Sequence, residues 1–121
     1  VELAGSGFNI FLLSRNDERL RRTQEHLQAT YGVDTQSLAM DFATATAADY
    51  STVEDRLARL PRIGVLVNNV GTNYAHPQYF EEAPVEEDAK LIAVNVGATT
   101  NMSKLALRLM PSSSVTPIAC Q

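Results

Sequence analysis

The aliphatic and β-branched run Val65-Leu66-Val67 stops abruptly at two carboxamides, Asn68-Asn69, and a glycine, Gly71, follows two residues later. An apolar run of this length suits a strand buried on both faces of a parallel α/β sheet. The two Asn at its exit can hydrogen-bond neighbouring strand ends and hold open a crevice. Gly71 lets the backbone turn or approach a ligand closely, where a Cβ would interfere. In open α/β sheets ligands bind at the carboxyl ends of strands, so function is sought here first.

Strand and helix signals alternate around that segment. Glu2-Leu3-Ala4 followed by Gly5-Ser6-Gly7 reads as the last turn of a helix and its glycine stop. Asn9 to Leu13 reads as a compact buried strand closed by Ser14-Arg15. Asn16 can cap a helix whose apolar stripe is Leu20, Leu27 and Tyr31 and whose stop is Gly32. Asp34 to Met40 is a weaker strand signal, ended by Asp41-Phe42. Thr46-Ala47-Ala48-Asp49 has the spacing of a capping box. Tyr50, Val53, Leu57 and Leu60 then recur at helical intervals until Pro61. Ile63 to Val67 is the third strand, and Thr72 to Phe80 is a loop holding Tyr74, Tyr79 and Phe80. A long helix is predicted from Glu86 to Met110, with Leu91, Val94, Ala98, Met102, Leu105 and Leu109 on one side. Pro111 and three serines break it. Strands alternating with helices predict an α/β fold of parallel units with right-handed crossovers.

The 121 residues suffice for one small domain, and 45% hydrophobic content is ordinary for a globular chain. A net charge of −4 argues against nucleic acid as a partner. The single cysteine, Cys120, excludes an internal disulfide framework. No apolar segment approaches the roughly 20 residues that span a bilayer, so this stretch is expected to be soluble. Its start at Val1 points to a processed, truncated or partial sequence.

Gly5-Ser6-Gly7 is not a phosphate loop, because its glycines follow a helix and precede a strand, the reverse of what such a loop needs. Ser14-Arg15 is more informative. An acidic residue at this strand end would take a ribose 2′-hydroxyl, whereas a nearby Arg accommodates a 2′-phosphate. Here a hydroxyl and a guanidinium stand instead, and a planar guanidinium is shaped to grip phosphate. An ordinary exposed Arg at a helix start is the competing reading. Asp41 could reach an adenine amino group or simply make local turn bonds. Asn95, within the apolar stretch from Leu91 to Val96, needs partners, since burying an unpaired amide costs about 1–3 kcal/mol. It is either a structural bridge or part of a proton route. His26 and His76 have no companions at ligand spacing, so no metal is expected. The sequon Asn101-Met102-Ser103 falls in the middle of a predicted helix and is read as chance.

Taken together, these residues resemble the short-chain dehydrogenase/reductase family. Its Asn-Asn-x-Gly motif stands here as Asn68-Asn69-Val70-Gly71, and its helix Asn as Asn95 in Val94-Asn95-Val96. Val70 in place of the usual Ala, together with the loop from Asn73 to Phe80, is similar to the microsomal very-long-chain 3-oxoacyl-CoA reductases and the related 17-beta-hydroxysteroid dehydrogenases. Gly7-Phe8-Asn9-Ile10 leading to Ser14-Arg15 fits the same subgroup. The resemblance implies a partial Rossmann-type doubly wound parallel sheet, with three strands and flanking helices of a larger fold. Residues 1–110 would be part of an NAD(P)-binding domain, and 111–121 an irregular tail. It also implies NADP(H) selected by Ser14 and Arg15, adenine flanked by Asp41 and Phe42, and an adenosine ribose lined by Asn68, Asn69 and Gly71. Asn95 would hold the catalytic relay water, and Tyr74 to Phe80 would lie near the substrate entrance. The implied reaction is hydride transfer to a 3-oxoacyl-CoA or steroid ketone. The full-length parent is implied to sit at the endoplasmic reticulum membrane, with a homodimer possible through helix 86–110.

The departures are equally specific. No tyrosine here has a lysine four positions on: Tyr31, Tyr50, Tyr74 and Tyr79 are followed at that spacing by Thr35, Glu54, Gln78 and Ala83. The family's N-terminal glycine loop has no counterpart, and the residues after Met110 do not resemble its continuation. Pro117 would be poorly placed in a central strand. The expectation is a middle section of an oxidoreductase that is inactive and marginally stable in isolation. The alternative is a truncated or degenerate family member acting by binding or dimerisation.

Overall fold

The computed structural model describes residues 1–111. The expected tail past Pro111, with Pro117 and Cys120, lies outside the described residues. Two compact units are present, Val1–Asp41 and a second beginning at Phe42.

In the first unit a short helix α1 (Glu2–Gly5) leads to strand β1 (Ile10–Ser14), helix α2 (Asp17–Tyr31) and strand β2 (Thr35–Ala39). The strands pair in parallel from Ile10 opposite Thr35 to Ser14 opposite Ala39. The local chemistry explains both ends of α2. Asn16 Oδ1 accepts the Arg19 N–H at 2.8 Å, satisfying one orphan donor of the first turn. Gly32 closes the helix at φ 67°, a left-handed conformation that costs a glycine little. Ala4, Leu27 and Val33 form the core, with Ile10, Leu12 and Tyr31 packed against it. Side chains then set the entry to β2. Asn9 Oδ1 accepts the Asp34 N–H at 3.0 Å, and Gln28 Nε2 donates to the Thr35 carbonyl at 3.2 Å.

The second unit contains α3 (Ala47–Ala58), α4 (Val85–Ile92), a π-helical turn (Ala93–Gly97) and α5 (Ala98–Leu109). Thr46 and Asp49 make the reciprocal capping box expected from their spacing. Val53 and Leu57 of α3 are buried, as are Val94, Ala98, Met102, Leu105 and Ala106 along the later helices. Each fully buried aliphatic side chain of this kind contributes about 1.5–3 kcal/mol. Phe42 is buried with its ring 6.3 Å from that of Tyr50, tilted by 46°.

Two expectations need correction. The parallel α/β class holds, but the sheet of the described residues has two strands, not three. Residues 63–67 join no ladder because no strand among the described residues pairs with them, and a strand's polar backbone needs such a neighbour. Val65 and Val67 are accordingly 49% and 63% exposed. The long helix is also not uniform. It begins at Val85 and carries the π turn in its middle, at the turn holding Asn95.

Candidate functional site

The candidate residues fall in both units. In the first, Ser14 ends β1, half-buried, and its carbonyl accepts the Met40 N–H at 2.9 Å. Arg15 follows, exposed, one residue before the Asn16 cap. Because Ser14 lies opposite Ala39, Asp41 stands at the same carboxyl end of the sheet as Ser14 and Arg15. In the second unit, Phe42 spends its ring on Tyr50.

The segment from Asn68 onward is held by the helix that follows it. Asn68 Nδ2 donates to Ser103 Oγ at 3.0 Å. After Asn69 and Val70 comes Gly71, where an added Cβ would sit 3.3 Å from Asn95 Oδ1. That close approach is why a glycine stands there. The next peptide is gripped on both sides: the Thr72 N–H donates to Asn95 Oδ1, and Asn95 Nδ2 donates to the Thr72 carbonyl, each at 2.8 Å. Asn95 is thus a bridge, and its side chain is committed. It is exposed, although its neighbours in the chain are apolar.

The π turn around Asn95 changes what its backbone can do. Ala98 N–H reaches back to the Ala93 carbonyl, five residues away, and such turns recur at functional sites. The main-chain carbonyl of Asn95 also accepts the Thr99 hydroxyl at 3.3 Å.

The aromatic loop is tied to α4. Tyr74 donates its phenol to Asp88 Oδ1, and Gln78 Nε2 donates to Glu87 Oε2 at 3.4 Å. Asp88 holds the Tyr74 phenol above its usual range, chiefly because the carboxylate accepts its proton's hydrogen bond, with smaller contributions from desolvation and the negative charges of Asp88 and Glu87. Asp49 moves the other way, its carboxyl lowered mainly by the Thr46 hydroxyl and further by the Thr46 N–H.

Sequence reading missed Thr72, Asp88 and Ser103. A signal existed: Asp88, Asn95, Thr99 and Ser103 recur at helical spacing, a polar stripe beside the apolar one. A separate cleft of about 440 Å³, lined by Thr46, Tyr50, Asn101, Lys104 and Arg108 among others, shares none of the candidate residues. Among the described residues no group of three or more His, Cys, Asp or Glu could hold a metal, and no helix is long and apolar enough to cross a membrane.

Comparison with known proteins matches this geometry to a family. The sequence profile described as short chain dehydrogenase matches residues 1–119. The chain is 36% identical over 107 residues to a very-long-chain 3-oxoacyl-CoA reductase of Laccaria bicolor, covering 88% of this chain and 31% of that one. It is 37% identical over 106 residues to the inactive hydroxysteroid dehydrogenase-like protein 1 of Rattus norvegicus, covering 88% and 32%. Among solved structures, a short-chain dehydrogenase from Sphingobium yanoikuyae in complex with NADPH superposes with a TM-score of 0.74 at 30% identity, over 87% of this chain and 40% of that one. The chain spans about a third of the length of the curated relatives it matches. With its profile match running from the first residue to 119, and its Asn-Asn-Val-Gly turn clamped by a helix Asn, the chain belongs to the short-chain dehydrogenase family.

Proposed function

We propose that this chain forms the cofactor-side wall of an NADP(H)-dependent oxidoreductase that reduces a ketone, of the 3-oxoacyl-CoA or steroid type, by hydride transfer. The observation that carries this reading is the two-bond clamp between Asn95 and the Thr72 peptide, which fixes the exit of the Asn68-Asn69-Val70-Gly71 turn. The NADPH held by the Sphingobium relative supports the cofactor, and the Laccaria relative's name supports the substrate class. In this reading residues 1–110 belong to one NAD(P)-binding Rossmann domain. The parent's place at the endoplasmic reticulum membrane is part of the same proposal.

The donor set fits such a cofactor. Arg15 is exposed at the carboxyl end of β1 with a hydroxyl and no acid ending that strand, an arrangement suited to a 2′-phosphate. Ser14 would share that phosphate, Asp41 and Phe42 would flank the adenine, and Asn68, Asn69 and Gly71 would line the adenosine ribose. When bound, the cofactor supplies the hydride. This chain's contribution is to hold and orient. Asn95 keeps the turn in place with its side chain and would hold the relay water. Proton donation needs a general acid within hydrogen-bond reach of the ketone oxygen, and no tyrosine here carries a lysine four positions on.

A second reading has the chain as a non-catalytic family member acting by binding or dimerisation. The 37% identical rat relative is itself named inactive. Exposed Ile92, Val96 and Leu107 along the helices from Val85 to Leu109 would supply the self-association surface. NADPH fluorescence titration and light scattering together separate the two. NADPH binding by a monomer supports the cofactor-side wall of an enzyme. A dimer that ignores NADPH supports the binding module, and a monomer that ignores NADPH sinks both.

A further inference from the structure

The Asn68-Asn69-Val70-Gly71 turn joins no ladder among the described residues, and the ties they give it come from side chains of the helix that follows. Asn95 holds the far end at Thr72, and Ser103 holds the near end by accepting the Asn68 Nδ2 N–H at 3.0 Å. The two ties are matched in length. Asn68 and Thr72 are four residues apart, up to about 14 Å of extended chain, and Asn95 and Ser103 are eight helical residues apart, about 12 Å of rise. Both can close at once, with the segment running antiparallel to the helix. They are also matched in direction. Eight residues of unbroken α-helix turn through two revolutions and about 80°. The π turn (Ala93–Gly97) seats one more residue in its turn, so it takes up part of that excess and swings Asn95 toward the face that Ser103 occupies. Val94, Asn95, Val96 and Gly97 are weak helix formers, and an irregular turn costs least at such a point. Ser103 is itself a poorer helix former than alanine, and its half-buried hydroxyl is engaged by Asn68.

We propose that Ser103 is a positioning residue for the cofactor: acting through Asn68, it forms with Asn95 a two-point splint that sets the Asn68-Asn69-Val70-Gly71 turn against the helix in the orientation its ligand needs. The assignment deepens the cofactor-side-wall reading above and rests on it. In that reading the turn lines the adenosine ribose and Arg15 meets the 2′-phosphate. The splint therefore serves NADPH and NADH alike, whereas Arg15 distinguishes them.

NMR relaxation and cofactor titration on the full chain test the splint and its purpose separately. Ser103→Ala should shift the Asn68 side-chain amide protons. It should also lower the backbone order parameters of Asn69, Val70 and Gly71 from about 0.85 toward about 0.6, with β1, α2 and β2 unchanged. NADPH and NADH should both bind about three- to tenfold more weakly and by the same factor, the effect of one lost hydrogen bond. Ser103→Thr keeps the hydroxyl and should restore all of these readouts. In an Asn68→Ala background, Ser103→Ala should change nothing further, because its partner is gone. Order parameters that hold their wild-type values in Ser103→Ala, or that fall equally in β1, α2 and β2, overturn the splint. A Ser103→Thr variant as loose as Ser103→Ala, or a full further loss in the Asn68→Ala background, overturns it too. A loosened turn that binds both cofactors as before overturns the positioning role, and so does weakening confined to NADPH. Wild-type chain that binds neither cofactor overturns the cofactor reading and the positioning role with it, and the order parameters then still decide the splint.

Discussion

Replacing Asn95 by alanine removes both hydrogen bonds to the Thr72 peptide and nothing else that the side chain makes. A net intramolecular hydrogen bond is worth about 0.5–1.5 kcal/mol, so the pair is worth about 1–3 kcal/mol. Asn95 is exposed and Thr72 half-buried, so water can replace both partners and the cost falls in the lower half, about 1–2 kcal/mol. Alanine is also the better helix former by up to about 0.7 kcal/mol, which offsets part of the loss in global stability. The two effects act in different places. A urea melt of Asn95→Ala should show a loss of only about 0.5–1 kcal/mol, while the Thr72 amide should exchange about tenfold faster. Amide exchange resolved by NMR reads both. An unchanged Thr72 amide in a folded Asn95→Ala variant would refute the clamp, whatever the melt shows.

Other perturbations follow from the same contacts. Gly71→Ala sets a Cβ 3.3 Å from Asn95 Oδ1, which its two bonds to Thr72 prevent from yielding; a loss of about 1 kcal/mol in thermal unfolding is expected. Thr46→Ala removes the cap of α3 and should cost about 1 kcal/mol in denaturant melts. Because the folded-state Asp49 pKa is depressed, its contribution is present above the ordinary aspartate pKa of about 3.9 and fades as pH falls through the folded value. Thr46→Ala should flatten that acid limb. Tyr74 has the opposite sign. Its folded pKa is raised, so the Asp88 bond stabilises fully below the ordinary tyrosine pKa of about 10 and is lost as pH rises through the folded value. Ultraviolet titration should show one late-ionising phenol that Asp88→Asn returns to the ordinary range.

What could be read from the sequence was what local chemistry decides. The Asn16 cap, the Gly32 stop and the Thr46–Asp49 box each involve groups within four residues of one another, so their spacing in the chain is their spacing in space. β1 and β2 were readable for a related reason: both lie close to α2 in the chain and pair with each other. Residues 63–67 carry the most strand-like composition of all and form no strand. A ladder is a property of two segments, and composition describes one. The candidate site was half legible. Asn68, Asn69, Gly71 and Asn95 stood out by residue type, but the partners that give them work, Thr72 and Ser103, are 23 and 35 residues away along the chain. Asn95 was read as either a structural bridge or part of a proton route, and its two bonds to Thr72 make its side chain a bridge.

Whether this chain is built to meet NADP(H) is decided by titrating NADPH and NADH into wild-type protein and the Arg15→Ala variant. A charge-assisted contact to the 2′-phosphate worth about 1.5–3 kcal/mol predicts that wild type prefers NADPH by roughly 10–100-fold. Arg15→Ala should erase that preference and leave NADH binding unchanged. Equal affinities for the two cofactors in wild type, or a preference that survives the loss of Arg15, would contradict it.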